Sequence, residues 1–408
     1  MSTIRPPALT ITDVLVFDGH NAELTRANVS FSHGRVSAIG DQEEGQLLPG
    51  NGRVLVPGLI DAHFHAYAIS LDGFRNERGP LSFAALAGAK RLGEALGRGF
   101  TTVRDVAGGD IGLASAIKAG LLPAPRYLYT GPALSQTGGH GDPREADVDV
   151  CFGHGHMCEV VDGIEPLRIA VRERLRTGAH AIKIMTSGGV VSLTDPLAIP
   201  QYSDEEIALV VAEATRRGSY VAAHAYSPAA IAHSVRNGVR SIEHGNLLDE
   251  PTAALMLEHG AFLVPTLAAY AAMDRRGDEV GLPEVSKAKN LEVLTAGRQA
   301  IKIALAAGIP VGFGSDLMGD LADEQLNGLA LQIEAAGVLE TLRSATSVNA
   351  ALLQDPSLGR LSPGAVGDAV LLDGNPFEDP SVLYDESRPR TVIQAGRPIV
   401  AGTSREQQ

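Results

Sequence analysis

The feature that most restricts the fold of this chain is an alternation of short apolar runs with longer helix-patterned stretches. Eight runs stand out: VLVPGLIDAHFH, TTVRDV, RYLYTG, AIKIM, YVAAHAY, SIEHG, AFLVPTL and IPVGFGSD. Between them fall segments such as SFAALAGAKRLGEALGRG, EPLRIAVRERLRTG, SDEEIALVVAEATRRG and DEPTAALMLEHG. Several end in glycine, which tolerates the left-handed backbone that closes a helix, and Ser203 followed by Glu206 has capping-box spacing. Alternating strand and helix builds a parallel sheet, and eight repeats suit an α/β fold of the closed (β/α)8, or TIM-barrel, kind. A doubly wound open sheet is the structural alternative. No G-x-G-x-x-G follows the first strand, which weighs against it.

The two ends read differently. LTITDVLVFDG, ANVSFSHGRVSAIG and GRVLVPG near the N-terminus, and GDAVLLDGNPFEDP and RTVIQAGRPIV near the C-terminus, alternate β-formers with polar residues between Gly and Asn-Pro turns. Neither end is large enough for its own core. Residues 1–56 and 361–408 are therefore expected to form one composite β-sandwich, with the barrel over 57–360. The net charge of −14 repels phosphate backbones and anionic lipid, so neither nucleic-acid nor membrane binding by bulk charge is expected. The first residues, MSTIRPPALTITD, lack a signal-peptide h-region, and no apolar run reaches 18 residues. A cytoplasmic location is the expectation. With no tryptophan and 4% aromatics, an aromatic groove for sugars or single strands is disfavoured.

In a barrel, reactive groups collect at the C-terminal ends of the strands, and side chains two apart share a face. The first run ends in His63 and His65, the fourth carries Lys183, the fifth His224, the sixth His244, and the eighth ends in Asp316. A single histidine at a strand end is ordinarily a hydrogen-bonded rim residue, but His-x-His on one face suits a zinc ion. Lys183 in AIKIM is harder to account for structurally. An ammonium in an apolar strand costs several kcal/mol unless it is paired or has reacted. Six such residues at matching positions point to a metal site.

These motifs resemble the amidohydrolase superfamily over nearly the whole chain. PGLIDAHFH is similar to the family's first strand, AIKIM to the strand bearing its bridging lysine, and AHA, SIEHG and GSD to its later ligand strands. SQTGGHGD and DGIEPLRIAVRERLRTGAHAIKIMTSGGV resemble the prolidase-like dipeptidase branch, which also includes hydrolases of ochratoxin, an N-acylated phenylalanine. The resemblance implies two divalent metals, zinc above all. His63, His65 and Asp316 would hold the more buried one and His224 and His244 the outer one, with Lys183, carbamylated by CO2, bridging them. It further implies cleavage of a small dipeptide or N-acyl amino acid by metal-activated hydroxide. Asp316 would move the proton, and His140 and Tyr226 would contact substrate. Relatives often assemble, which implies a homo-oligomer.

Two rival readings differ in class. Single-metal cyclic-amide hydrolases or deaminases usually carry Glu three residues after the strand-5 histidine and lack the lysine; here Ser227 and Lys183 stand there. Non-catalytic barrel scaffolds lose ligands, whereas all six positions are filled. CFGHGHMC at 151–158 packs two Cys and two His more tightly than paired zinc ligands usually are, and reads as a loop near the site. Arg75, Arg78, Arg275 and Arg276 are the loop arginines from which a carboxylate partner could come, although solvated loop arginines are commoner.

Overall fold

A computed structural model describes residues 8–148 and 150–399; positions 1–7 and 400–408, assigned above to the β-sandwich, lie outside the described residues. Strands β1 (Leu9–Val16), β2 (Thr25–Ser32), β3 (Arg35–Gly40), β4 (Gln46–Pro49) and β5 (Val54–Pro57) form one sheet with strands from the other end of the chain, β15 (Ala369–Leu372), β16 (Arg390–Gln394) and β17 (Arg397–Pro398). The two ends meet where β5 pairs antiparallel with β15, Val56 opposite Val370 and Leu55 opposite Leu371. Ile11, Val29, Phe31, Leu55 and Ile393 pack into the apolar interior of this unit.

The strands in the middle of the chain pair with one another only in parallel. Strands β6 (Leu59–Phe64), β7 (Phe100–Asp105) and β8 (Arg126–Tyr129) form one sheet. Strands β9 (Ala133–Ser135), β10 (Cys158–Val160), β11 (Ile182–Met185), β12 (Val221–Ala225), β13 (Ser241–His244) and β14 (Phe262–Val264) form a second, in the order β10-β9-β11-β12-β13-β14. Seven of the eight expected runs contain regular strands. The eighth, IPVGFGSD, does not, and makes a single bridge from Val311 to Leu263. It still runs between β14 and β6: Gly312 N–H donates to Leu263 O at 2.8 Å, Ala62 N–H to Phe313 O at 2.9 Å, and Asp316 N–H to His63 O at 2.8 Å. The ladder is broken by a side chain. Asn349 accepts from Phe313 N–H at 3.2 Å and donates to the carbonyls of Phe313 and Ile60, each at 2.8 Å. A continuous eight-stranded ladder is therefore absent among the described residues.

The helices follow their sequence signals. Leu81–Gly97, Ile164–Thr177, Asp204–Arg216 and Glu250–Glu258 occupy the expected segments. The Ser203–Glu206 capping box is formed in both directions, and Gly178 ends its helix at φ 95° in the left-handed region. Among the described residues no helix is long and apolar enough to cross a membrane.

Candidate active site

One cavity of about 490 Å³ opens at the C-terminal ends of the parallel strands, and all eight residues singled out from the sequence line it: His63, His65, His140, Lys183, His224, Tyr226, His244 and Asp316. The Nε2 atoms of His65 and His63 stand 2.9 and 3.3 Å from Asp316 Oδ1. His244 faces His63 across 4.8 Å between ring centroids, and His224 lies 4.5 Å from His244. His244 and Asp316 both adopt left-handed backbone, with φ of 72° and 55°. Non-glycine residues rarely accept this conformation, and when they do it is often at a functional site. In β13 it lets consecutive side chains, Glu243 and His244, both serve the interior.

The charge states suit ligation. Burial pushes the imidazoles of His224 and His244 well below their usual range, against the pull of Asp316 on His244. They are neutral, the form that donates a lone pair to a metal. Burial would raise Asp316, but His63, His65 and His244 hold it well below the ordinary carboxylate range. Lys183 is 1% exposed, and burial draws its ammonium down to about 8 although Glu243 and Asp316 oppose the shift.

The second ring nitrogens of His63 and His224 are held by groups that only accept, which fixes their tautomers. Gly188 O, which can only accept, takes His224 Nε2–H at 3.1 Å. The Glu243 carboxylate takes His63 Nδ1–H at 2.7 Å, while His244 Nδ1 meets two hydroxyls, those of Thr266 and Tyr270, each at 2.8 Å. Histidines that bind metals are oriented in this way, with the opposite nitrogen left free. Candidate ligand atoms of His63, His244 and Asp316 lie within 4.8 Å of one another, which makes this group fit to hold a metal ion.

Several partners escaped the sequence reading. Glu243 is fully buried between His63 and the equally buried Arg104, whose Nη2 donates to it at 2.7 Å. Both are charged residues inside apolar runs, the same signal that drew attention to Lys183. Tyr270 hydrogen-bonds to the hydroxyl of Tyr226 at 2.9 Å and reaches His244 Nδ1 at 2.8 Å; nothing in its sequence context marks it.

Other expectations separate on position. Arg75, Arg78, Arg275 and Arg276 are absent from the cavity wall; Arg275 and Arg276 pair with Glu324 and Asp323 instead. Arg144 does line the wall, but Asp142 binds its Nε and Nη2 at 2.8 and 2.6 Å. In CFGHGHMC, Met157 and Cys158 reach the cavity, whereas His154 faces Glu159 and His156 donates to Gly79 O at 3.0 Å. Ser227, where a deaminase-like site would carry Glu, caps the helix Pro228–Arg236 by accepting from Ala230 N–H at 3.2 Å.

The chain is similar to known proteins over most of its length. The Amidohydrolase family matches residues 54–399. An ochratoxinase from Aspergillus niger is 33% identical over 372 residues, covering 84% of this chain and 75% of its own. A prolidase solved with N-methylphosphonate-L-proline superposes with a TM-score of 0.93 at 42% identity, covering 96% of this chain and 99% of that one. A Xaa-Pro dipeptidase with methionine in its active site gives 0.85 at 27% identity, with 96% and 99% covered. The chain belongs to the amidohydrolase family, on the side of its prolidase-like branch, and is a hydrolase of carbon–nitrogen bonds.

Proposed function

We propose that this hydrolase uses two divalent metal ions, zinc above all, to cleave the amide bond of a dipeptide or an N-acyl amino acid. One observation carries the reading: four imidazoles, a carboxylate and a buried lysine line one cavity, and two of the imidazoles, His63 and His224, give one ring N–H to a fixed acceptor. His63, His65 and Asp316 would hold one ion and His224 and His244 the other. Lys183 would bridge them as its carbamate. Its amine, drawn down to about 8, is partly neutral near physiological pH and so able to add CO2 with loss of one proton. When bound, the ions supply Lewis-acid polarisation of the scissile carbonyl and a lowered pKa for the attacking water.

The chain's own groups do the rest. Asp316, held ionised, takes the proton from the attacking water and delivers it to the leaving nitrogen. Burial keeps His140 neutral against the pull of Asp195, and Ser192 Oγ engages its Nδ1 at 2.8 Å, so its Nε2 edge remains for the substrate. The Tyr226 hydroxyl, steadied by Tyr270, is the second polar contact in the wall. Leu71, Met157, Val190, Met273, Leu282 and Met318 give the wall an apolar character that suits an apolar side chain or acyl group. The N-methylphosphonate-L-proline bound by the similar prolidase, a proline substituted on its nitrogen, fits the same class. This reading also takes the two parallel sheets and the segment 310–316 together as one closed (β/α)8 barrel over 57–360, with the β-sandwich of 1–56 and 361–408 attached.

The test is a screen of zinc-loaded protein against dipeptides and N-acyl amino acids, with metal counted on the same sample. About two ions per chain and release of a free amino acid are expected. One ion per chain with deaminating or ring-opening activity instead would replace this reading with the single-metal one.

A further inference from the structure

Lys289 lies outside the cavity wall, on the helix Glu284–Ala307, yet its ammonium reaches back to the loop after β11. Its Nζ is 2.9 Å from Gly189 O, 2.8 Å from Ser192 O and 2.7 Å from Asp195 O. An ammonium has three N–H donors, and here each has a backbone carbonyl. The side chain is 15% exposed, so these bonds are largely shielded from water.

The other side of the same loop touches the candidate machinery. Ser192 Oγ engages His140 Nδ1 at 2.8 Å, and Gly188 O holds His224. Gly189 lies so close to His140 that a Cβ there would sit 2.0 Å from the ring. Gln201 completes the enclosure: its Oε1 accepts from His140 N–H at 3.1 Å, and its Nε2 donates to Asp195 Oδ2 at 3.1 Å. His140 itself stacks on His224 at 4.2 Å. The loop is thus a cradle for His140, and without the ammonium the carbonyls of Ser192 and Asp195 would lose their donor while Gly189 O would keep only Ser192 Oγ, at 3.2 Å.

We propose that Lys289 is a positioning residue for catalysis: it pins residues 189–195 so that the loop holds His140 against the substrate. This rests on the reading of His140 as a substrate contact. A geometric effect of this kind is large because reacting groups displaced by even 1 Å lose much of their rate advantage.

A double-mutant cycle on the zinc-loaded full chain tests it, with N-acetyl-phenylalanine and alanyl-proline as probes. Lys289→Met should lower kcat ten- to a hundredfold while KM changes less than threefold and metal content stays unchanged. In a His140→Ala background the same substitution should cost less than threefold, because residues acting through one another are not additive. Hydrogen exchange should accelerate over residues 187–201. If Lys289→Met lowers kcat by the same factor in both backgrounds, or leaves it unchanged, the proposal is overturned. If His140→Ala alone has wild-type kcat, the reading of His140 is what fails. Should Lys289→Met not fold, Lys289→Gln passes through the same cycle with a three- to tenfold effect expected and the same additive outcome counting against it.

Discussion

Arg104 and Glu243 lie beneath the candidate metal residues, each fully buried, and together they orient His63. Burial alone would raise the Glu243 carboxyl, but Arg104, His63 and Lys183 hold it well below the usual range, so it is an anion. Arg104 also donates through Nε to Ala62 O at 2.6 Å, which locks the guanidinium to β6. Removing one partner of a buried pair leaves the other charge without compensation, at a cost of about 3–5 kcal/mol. Arg104→Met is therefore expected to lose stability of that order in urea unfolding. It should also weaken zinc binding about 10–100-fold, because His63 would no longer be held. Zinc affinity equal to wild type would show that something else orients His63. His63, His65 and Lys183 were legible because each is anomalous in its own local run. Arg104 and Glu243 carry the same local anomaly, but their partnership spans 139 positions, which no local pattern records.

The short helix Gly73–Arg78 and the segment 151–158 form a clasp at the cavity mouth. Arg78 Nη2 donates to Cys151 O at 2.8 Å and its guanidinium lies 5.4 Å from the centre of the Phe152 ring. Glu77, 6% exposed, accepts from Met157 N–H at 3.0 Å. Burial pushes its carboxyl up to about 7 even though the backbone N–H groups of Met157, His156 and Cys158 pull the other way. Between pH 4.5 and 7 the folded protein therefore keeps a proton that the unfolded chain has lost. Stability falls as pH rises through that window, by about 3 kcal/mol, and is flat above it. Glu77→Gln has no proton to lose, so its stability relative to wild type should improve by that amount from pH 5 to pH 8 in urea titrations. Parallel pH profiles for the two proteins would mean an ordinary carboxyl. The same clasp holds CFGHGHMC, read from its sequence as a loop near the site. His156 is spent on a backbone carbonyl and His154 on Glu159, and the group of candidate ligands found among the described residues is His63, His244 and Asp316. Helix ends were legible for a related reason: a capping box and a terminal glycine act over three or four residues. The loss of strand regularity at 310–316 depends on Asn349, more than thirty positions away, and was hidden.

At the scale of the whole molecule, the terminal strands β5 and β15 and the first parallel sheet share an apolar cluster. Val54 and Val56 of β5 and Val370 and Leu372 of β15 pack in the same cluster as Leu59, Phe64, Phe100 and Phe313. The passage from one unit to the other is a single residue, Gly58, whose N–H donates to Asp368 O at 2.9 Å. A Cβ on Gly58 would come within 2.1 Å of Thr101 Oγ1 and 2.9 Å of Asp368 Cβ, so no larger residue fits there. These contacts make the boundary at residue 56, reasonable as a change of sequence pattern, a poor place to cut. In a chain ending at residue 360, β5 loses β15, and the apolar groups that faced Val370, Leu371, Leu372 and Ile393, all at most 1% exposed, meet water. Burial of each such side chain is worth about 1.5–3 kcal/mol, so four together rival the 5–15 kcal/mol that holds a typical domain folded. The truncated chain is accordingly expected to aggregate, or to unfold without cooperativity in urea, and to lack near-ultraviolet circular dichroism. A monomer of 1–360 that unfolds in one sharp transition would show that the parallel unit is self-sufficient and that the terminal strands are only an attachment.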